Sequence, residues 1–233
     1  MYTTEAPPRP MHRQFPGGPP LAGLAAVSTA LLLTGLIAST AMAGTTFPSP
    51  FDSGASILVY FRGHQDAVKV SAFFQFAAAV PLAIYAATAS VRLRNLGIRA
   101  PGASIAFAGG VQAAVFLAVS GVVSWALAQP AVPASAPLVR ALCALSFAAG
   151  GPGSVVPLGL LIAGLAVPAA FGALLPRWLV ATGLILAVAA EFSSLCLLAS
   201  GFAYLLPVAR FGGLAWLITA GALLPTTRSR ASQ

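Results

Sequence analysis

The chain has 233 residues, of which 58% are hydrophobic and 7% charged, where a soluble domain carries roughly 25% charged residues. A surface with so few charges would expose wide apolar patches to water, which excludes a soluble globular domain. Twelve Lys and Arg against four Asp and Glu give a net charge of +8. The basic residues stand singly or in twos and threes between long apolar runs, the positive-inside pattern of a multi-span membrane protein and not a nucleic-acid surface. Eleven arginines to one lysine, with abundant Ala and Gly, is the bias expected of a GC-rich bacterial genome.

Residues 1–20 hold six prolines and are expected to form a disordered tail. Leu21 to Ala43 is uncharged, and 23 residues make a helix of about 34 Å, enough to cross a hydrocarbon core of roughly 30 Å. A cleaved signal peptide ending at Ala41-Met42-Ala43 is the rival reading of this segment. The apolar run is long for one, so the span is expected to be retained. Residues 44–69 are the most polar stretch. Asp52-Ser53-Gly54 reads as a helix start, with Asp52 accepting orphan amides, and 54–68 as a short amphipathic helix at the membrane surface.

The second span is expected over 70–90, with a kink at Pro81. The loop VRLRNLGIRAPG, with Arg92, Arg94 and Arg99, is the densest basic cluster. The third span covers 102–128 and ends with Trp125 near the interface. Ala141 to Pro176 is uncharged over 36 residues, or about 54 Å as one straight helix, more than one crossing needs. Gly150-Gly151-Pro152-Gly153 interrupts it. This divides the stretch into an interfacial or partly inserted helix at 138–149, a turn, and a fourth span at 154–175 with Ser154 as its cap. The fifth and sixth spans are expected over 178–200 and 208–224, followed by a basic tail at 227–233.

Charge selects the topology. With six spans and the N-terminus inside, Arg9, Arg13, Arg92, Arg94, Arg99, Arg177, Arg228 and Arg230 lie inside, and Arg62, Lys69, Arg140 and Arg210 outside. If 138–150 were a further span, the twelve would divide evenly. The positive-inside rule therefore favours six spans.

The run SAFFQFAAAVPLAIYAATASVRLRNLGIRAPG, with PRWLVATGLILAVAAE and RFGGLAWLITAGALLP, resembles a family of uncharacterised actinobacterial multi-pass membrane proteins, a domain of unknown function, over most of residues 20–226. That resemblance implies a helical bundle of this topology and brings no activity with it.

Glu191 is the one acid within an expected span. Fourteen residues after Arg177, it would lie about 20 Å from the inner surface. An ionised group at mid-bilayer costs on the order of 2.5–3.5 kcal/mol, so Glu191 is expected to face the bundle interior along the small-residue stripe of Gly183, Ala187 and Ser194. Arg140, Arg210 and Gln112 are its candidate partners. As a functional group it would be a proton or cation site. As a structural one it would lock helices together, which is favoured because no second intramembrane carboxylate supports a relay. Gln75 and Gln112 are expected to supply interhelical hydrogen bonds. The glycine-rich break lacks the Lys-Ser/Thr of a phosphate loop. It reads as a plain turn, or as a discontinuous helix offering amide hydrogens to an anion. His12 and His64 lie outside the spans, which leaves no bis-His haem and no Ser–His pair within the membrane, and Arg62 to Asp66 supplies too few ligands for a metal.

The sequence therefore predicts an all-α integral membrane protein, a bundle of about six transmembrane helices with a short extracytoplasmic amphipathic helix. It is placed in the bacterial plasma (inner) membrane with both termini cytoplasmic. The expected partners are the lipid bilayer and either another protein or a second copy of the chain, with no nucleic acid, cofactor or metal. The leading expectation is a partner-binding regulatory or scaffold protein without a catalytic set. The alternative is a small transporter or channel subunit using Glu191 as a proton or cation site.

Overall fold

The computed structural model describes residues 18–98 and 100–226. Residues 1–17 of the Pro-rich tail, Arg99 and the basic C-terminal tail fall outside those residues. Among the described residues the fold is all-α: α1 (Leu21–Ala43), α2 (Gly54–Gly63), α3 (Gln65–Asn95), α4 (Gly102–Leu127), α5 (Ala136–Ala148), α6 (Ser154–Phe171), α7 (Arg177–Ser193) and α8 (Leu205–Leu223). A π-helical turn, Ala149–Gly153, joins α5 to α6, and short 3-10 turns lie at Val132–Ala134, Ser194–Leu197 and Ser200–Tyr204. Six helical segments are long and apolar enough to cross a membrane, with α5 to α6 counting as one. This is a multi-pass membrane protein in contact with lipid.

The spans form a closed ring in the order α1, α3, α4, α6, α7, α8 and back to α1. Because successive spans run in opposite directions, one end of the ring carries α2 and the other carries Arg92, Arg94 and Arg177. α3 has 31 residues, or about 46 Å, well beyond the expected 70–90. No glycine interrupts it, and its charged ends project past the hydrocarbon. It stops at Gly97, whose φ of 84° opens the αL position, letting the Ile98 N–H reach back to the Leu93 carbonyl at 3.1 Å. Pro81 lies inside this helix.

Apolar packing divides into one large cluster and two small ones. The large cluster, built around Leu82, Tyr85, Leu161, Ile162, Leu214 and Leu217, fills the bundle from its middle to the arginine-rich end. Side chains bond to backbone carbonyls of neighbouring helices through it: Ser28 Oγ to Ala78 O at 2.8 Å, Tyr85 Oη to Leu217 O at 3.1 Å and Trp216 Nε1 to Leu179 O at 2.7 Å. Where α4 crosses α6 the backbones nearly touch. A Cβ on Gly109 would lie 2.7 Å from the Pro157 carbonyl oxygen, and one on Gly164 2.5 Å from the Ala106 nitrogen. Small residues serve close helix packing in membranes in this way.

At the α2 end the two small clusters stand apart. Ile57, Tyr60 and Phe61, spaced to share one face of α2, pack with Val68, Leu127, Val139 and Cys143. On the other side Val155, Ala190, Cys196, Leu206 and Ala209 form the second. The two cysteines belong to different clusters and are free. α2 is shorter than the expected 54–68, because the chain leaves the helix at His64 before α3 begins. Its cap is Ser53, whose hydroxyl accepts from Ser56 N at 3.2 Å, while Asp52 accepts from Ser49 N at 2.8 Å. Asp52 therefore organises the approach to α2 and does not cap it.

The α4–α6 crossing generates a stability prediction. Gly109→Ala meets backbone that cannot move aside and should destabilise the protein by about 1–3 kcal/mol, read as a lower midpoint of thermal unfolding in detergent. An unchanged midpoint would contradict the close approach.

Candidate functional site

Between the two small clusters lies a cleft of ≈ 320 Å³. The broken fourth span builds one of its walls. Pro152 has no N–H to donate, Gly151 leaves helical geometry at φ −76° and ψ −108°, and the Ser154 N–H turns to the Gly151 carbonyl. The Gly150 carbonyl accepts from Arg210 of α8. This corrects the expectation of a plain turn capped by Ser154, whose hydroxyl instead donates to Ala113 O of α4 at 3.1 Å. It also reverses the polarity expected of a discontinuous helix, because the break offers a carbonyl to a cation where an amide was expected to face an anion.

Hydroxyls tie α5 to the rest of the bundle. Gln75 Nε2 donates to Ser120 Oγ at 2.9 Å, and Ser120 Oγ donates to the Ser146 carbonyl at 2.8 Å. Ser124 and Ser146 hydroxyls meet at 2.8 Å. A Cβ on Gly150 would clash with the Ser120 hydroxyl, so this network needs glycine at the break. Segment 44–53 covers the mouth, with Phe47, Pro48 and Pro50 in the lining. Edge-on ring contacts hold it there: Phe47 against Tyr60 and Phe61, and Phe51 against Phe147 at 5.5 Å. Burial beneath that segment raises the pKa of the Tyr60 phenol, which stays neutral.

Arg210 dominates the electrostatics. A guanidinium carries five N–H donors, and one of those of Arg210 donates to the Gly150 carbonyl. Arg210 lines the cleft, and among the described residues no buried polar side-chain atom lacks a hydrogen-bond partner. Ser71 also belongs to the lining. No carboxylate lines the cleft among the described residues. Asp66 pairs with Lys69 at 2.9 Å on the surface, and Asp52 is taken up by Ser49. A second cavity of ≈ 130 Å³ shares Leu36, Ser71, Gln75, Arg210 and Phe211 with the first and extends between α1, α3 and α8.

Of the five residues singled out from sequence, the structure brings Gln75 and Arg210 together and disperses the others. Glu191 is exposed in the last turn of α7, and its carboxylate has no hydrogen bond or ion pair among the described residues. The expected inward-facing Glu191 is thus corrected. Glu191 stands two residues before the end of α7 at Ser193, on an exposed face within the apolar segment Arg177–Leu197. Its helix buries Gly183, Ala187 and Ala190. Arg140 is exposed beside Gly54 at the α2 end, and Gln112 faces outward from α4. Neither meets Glu191. Sequence reasoning missed Ser71, Ser120, Ser124 and Ser146. The available signal was a pair of polar stripes at helical spacing, Ser71 with Gln75 and Ser120 with Ser124, on otherwise apolar spans.

No family model, curated protein or solved structure matches this chain.

Two substitutions separate the network from the outlier. Ser146→Ala removes the hydroxyl joining α5 to α4 and should lower stability by about 0.6–2 kcal/mol. Glu191→Gln should leave the thermal midpoint in detergent unchanged, because the carboxylate holds nothing. A clear loss on Glu191→Gln would restore its role as a structural lock.

Proposed function

We propose that this chain is a solute-binding protein of the bacterial plasma membrane, a small carrier or channel subunit, with its site for an anionic ligand in the Arg210 cleft. One observation supports this above all. A cavity of ≈ 320 Å³ holds a guanidinium whose hydrogen-bond partner among the described residues is a neutral carbonyl. Desolvating a cation without a counter-charge costs free energy. A carboxylate or phosphate in the cleft offsets that by two parallel charge-assisted hydrogen bonds to the guanidinium fork.

The charge of the ligand follows from which ionisable group lines the cavity. Glu191 stands outside it, so the proton or cation site built on that residue gives way to an anion site built on Arg210. A partner-binding scaffold needs no such cavity, and the cleft moves the balance towards a ligand-binding role. The α2 end is the outside face in this proposal, with both termini cytoplasmic, on the strength of the basic residues gathered at the opposite end. The ligand then enters from the extracytoplasmic side, past segment 44–53.

Both parts can be tested. Thermal unfolding in neutral detergent is followed with acetate, phosphate and choline, for the wild type and for Arg210→Gln. Acetate or phosphate should raise the wild-type midpoint and choline should not, and Arg210→Gln should lose the difference. Salting-out by phosphate acts on both proteins alike, so the wild-type excess is the informative quantity, and equal responses would refute an Arg210 site. For orientation, Cys143 and Cys196 are replaced and single cysteines placed at Gly63, where there is open space, and at Ser229. Intact cells should label the first and not the second, and the reverse would overturn the topology.

A further inference from the structure

We infer that the ligand is an amphiphile taken from the membrane, its oxyanion head on Arg210 and its hydrocarbon chain in the branch between α1, α3 and α8. The inference rests on the Arg210 cleft being an anion site and adds the ligand's other half. Arg210 sits at the junction of the two cavities, with Ser71 and Gln75 beside it in both linings. Past that polar knot the branch is walled by Leu32, Gly35, Leu36 and Phe211. A hydrated inorganic anion gains nothing from such walls, whereas an alkyl chain does.

The branch also lies along the seam between α1 and α8. α1 and α8 meet tightly near the arginine-rich end, where a Cβ on Gly221 would lie 2.7 Å from the Ala22 nitrogen. Towards the α2 end they stand apart, and the branch occupies the gap. Leu36 and Phe211, which line both cavities, are 47% and 38% exposed, so the gap reaches the lipid-facing perimeter. α1 is also the least enclosed span, with 22% of its apolar window buried. A chain already in the bilayer therefore has a lateral way in, and its head finds the guanidinium within the bundle.

Calorimetric titration of the purified protein in a neutral detergent tests this with three kinds of probe. Decanoate and decyl phosphate carry head and chain, acetate and inorganic phosphate carry the head alone, and decanol carries the chain alone. Each buried methylene strengthens binding roughly fourfold. The long-chain anions should therefore bind at least about tenfold more tightly than acetate or phosphate, and decanol should bind weakly. Arg210→Gln should weaken every anion and leave decanol unchanged. Leu36→Trp, which fills the branch at a half-exposed position that tolerates bulk, should weaken decanoate and leave acetate alone. Arg210→Lys, which keeps the charge, guards against a folding defect in the glutamine variant.

The outcomes separate the two claims. If acetate binds as tightly as decanoate, or Leu36→Trp changes nothing, the amphiphile is refuted while the anion site stands. If Arg210→Gln and Arg210→Lys both fold and bind all anions like the wild type, the anion site itself fails. If decanol binds as well as decanoate, the cleft is a hydrocarbon site and Arg210 plays no part in recognition.

Discussion

Within a bilayer no water reaches the backbone, so a break in a spanning helix must find its hydrogen-bond partners inside the protein. The fourth span breaks at Ala149–Gly153, and the partner that arrives is Arg210 from the last span. The contact joins two expensive features, a displaced carbonyl and a desolvated cation, and each lessens the cost of the other. The pair links α8 to the break at the wall of the cleft. Because the acceptor is neutral, the cation keeps a charge that the surrounding protein does not cancel.

The remaining packing is arranged around that contact. A large apolar cluster fills the bundle from its middle to the arginine-rich end, and backbones there approach to glycine distance. At the α2 end the apolar residues divide into two clusters, which leaves a seam between them. Serines 120, 124 and 146 hold the half-helix α5 on one side of the seam, and Leu206 with Ala209 lies on the other. The proposed site lies at the α2 end, away from this large cluster. A closely packed half gives a rigid base, while the open half has a short helix and aromatic contacts as its cover.

Much of the fold is legible in the sequence because a bilayer imposes simple rules. Uncharged runs of sufficient length mark the spans, and Leu21–Ala43 has the same limits in the sequence and in the helix. The break at Gly150–Gly153 is visible for an equally local reason, since Pro152 removes a donor. The site is much less legible. Hydropathy ranks residues by the cost of burial, so it raised Glu191, the costliest apparent group, and passed over four serines that cost little. Whether Glu191 is buried depends on which face of α7 meets the neighbouring helices, and that face is occupied by Gly183, Ala187 and Ala190. The sequence marks Arg210 only as an outer charge and as a candidate partner for Glu191. Its own meaning comes from Gly150, 60 residues away in sequence, and no periodicity within either helix points across that distance.

Amide hydrogen exchange of the wild type and Arg210→Met, compared residue by residue in detergent, addresses the central claim most directly. If Arg210 anchors the broken span, its loss should speed exchange selectively at Gly151, Gly153 and Ser154 and in neighbouring α5, while the α4–α6 crossing around Gly109 keeps its protection. Equal exchange at the break in the two proteins would show that the interruption stands without Arg210, and the account of the cleft would be wrong.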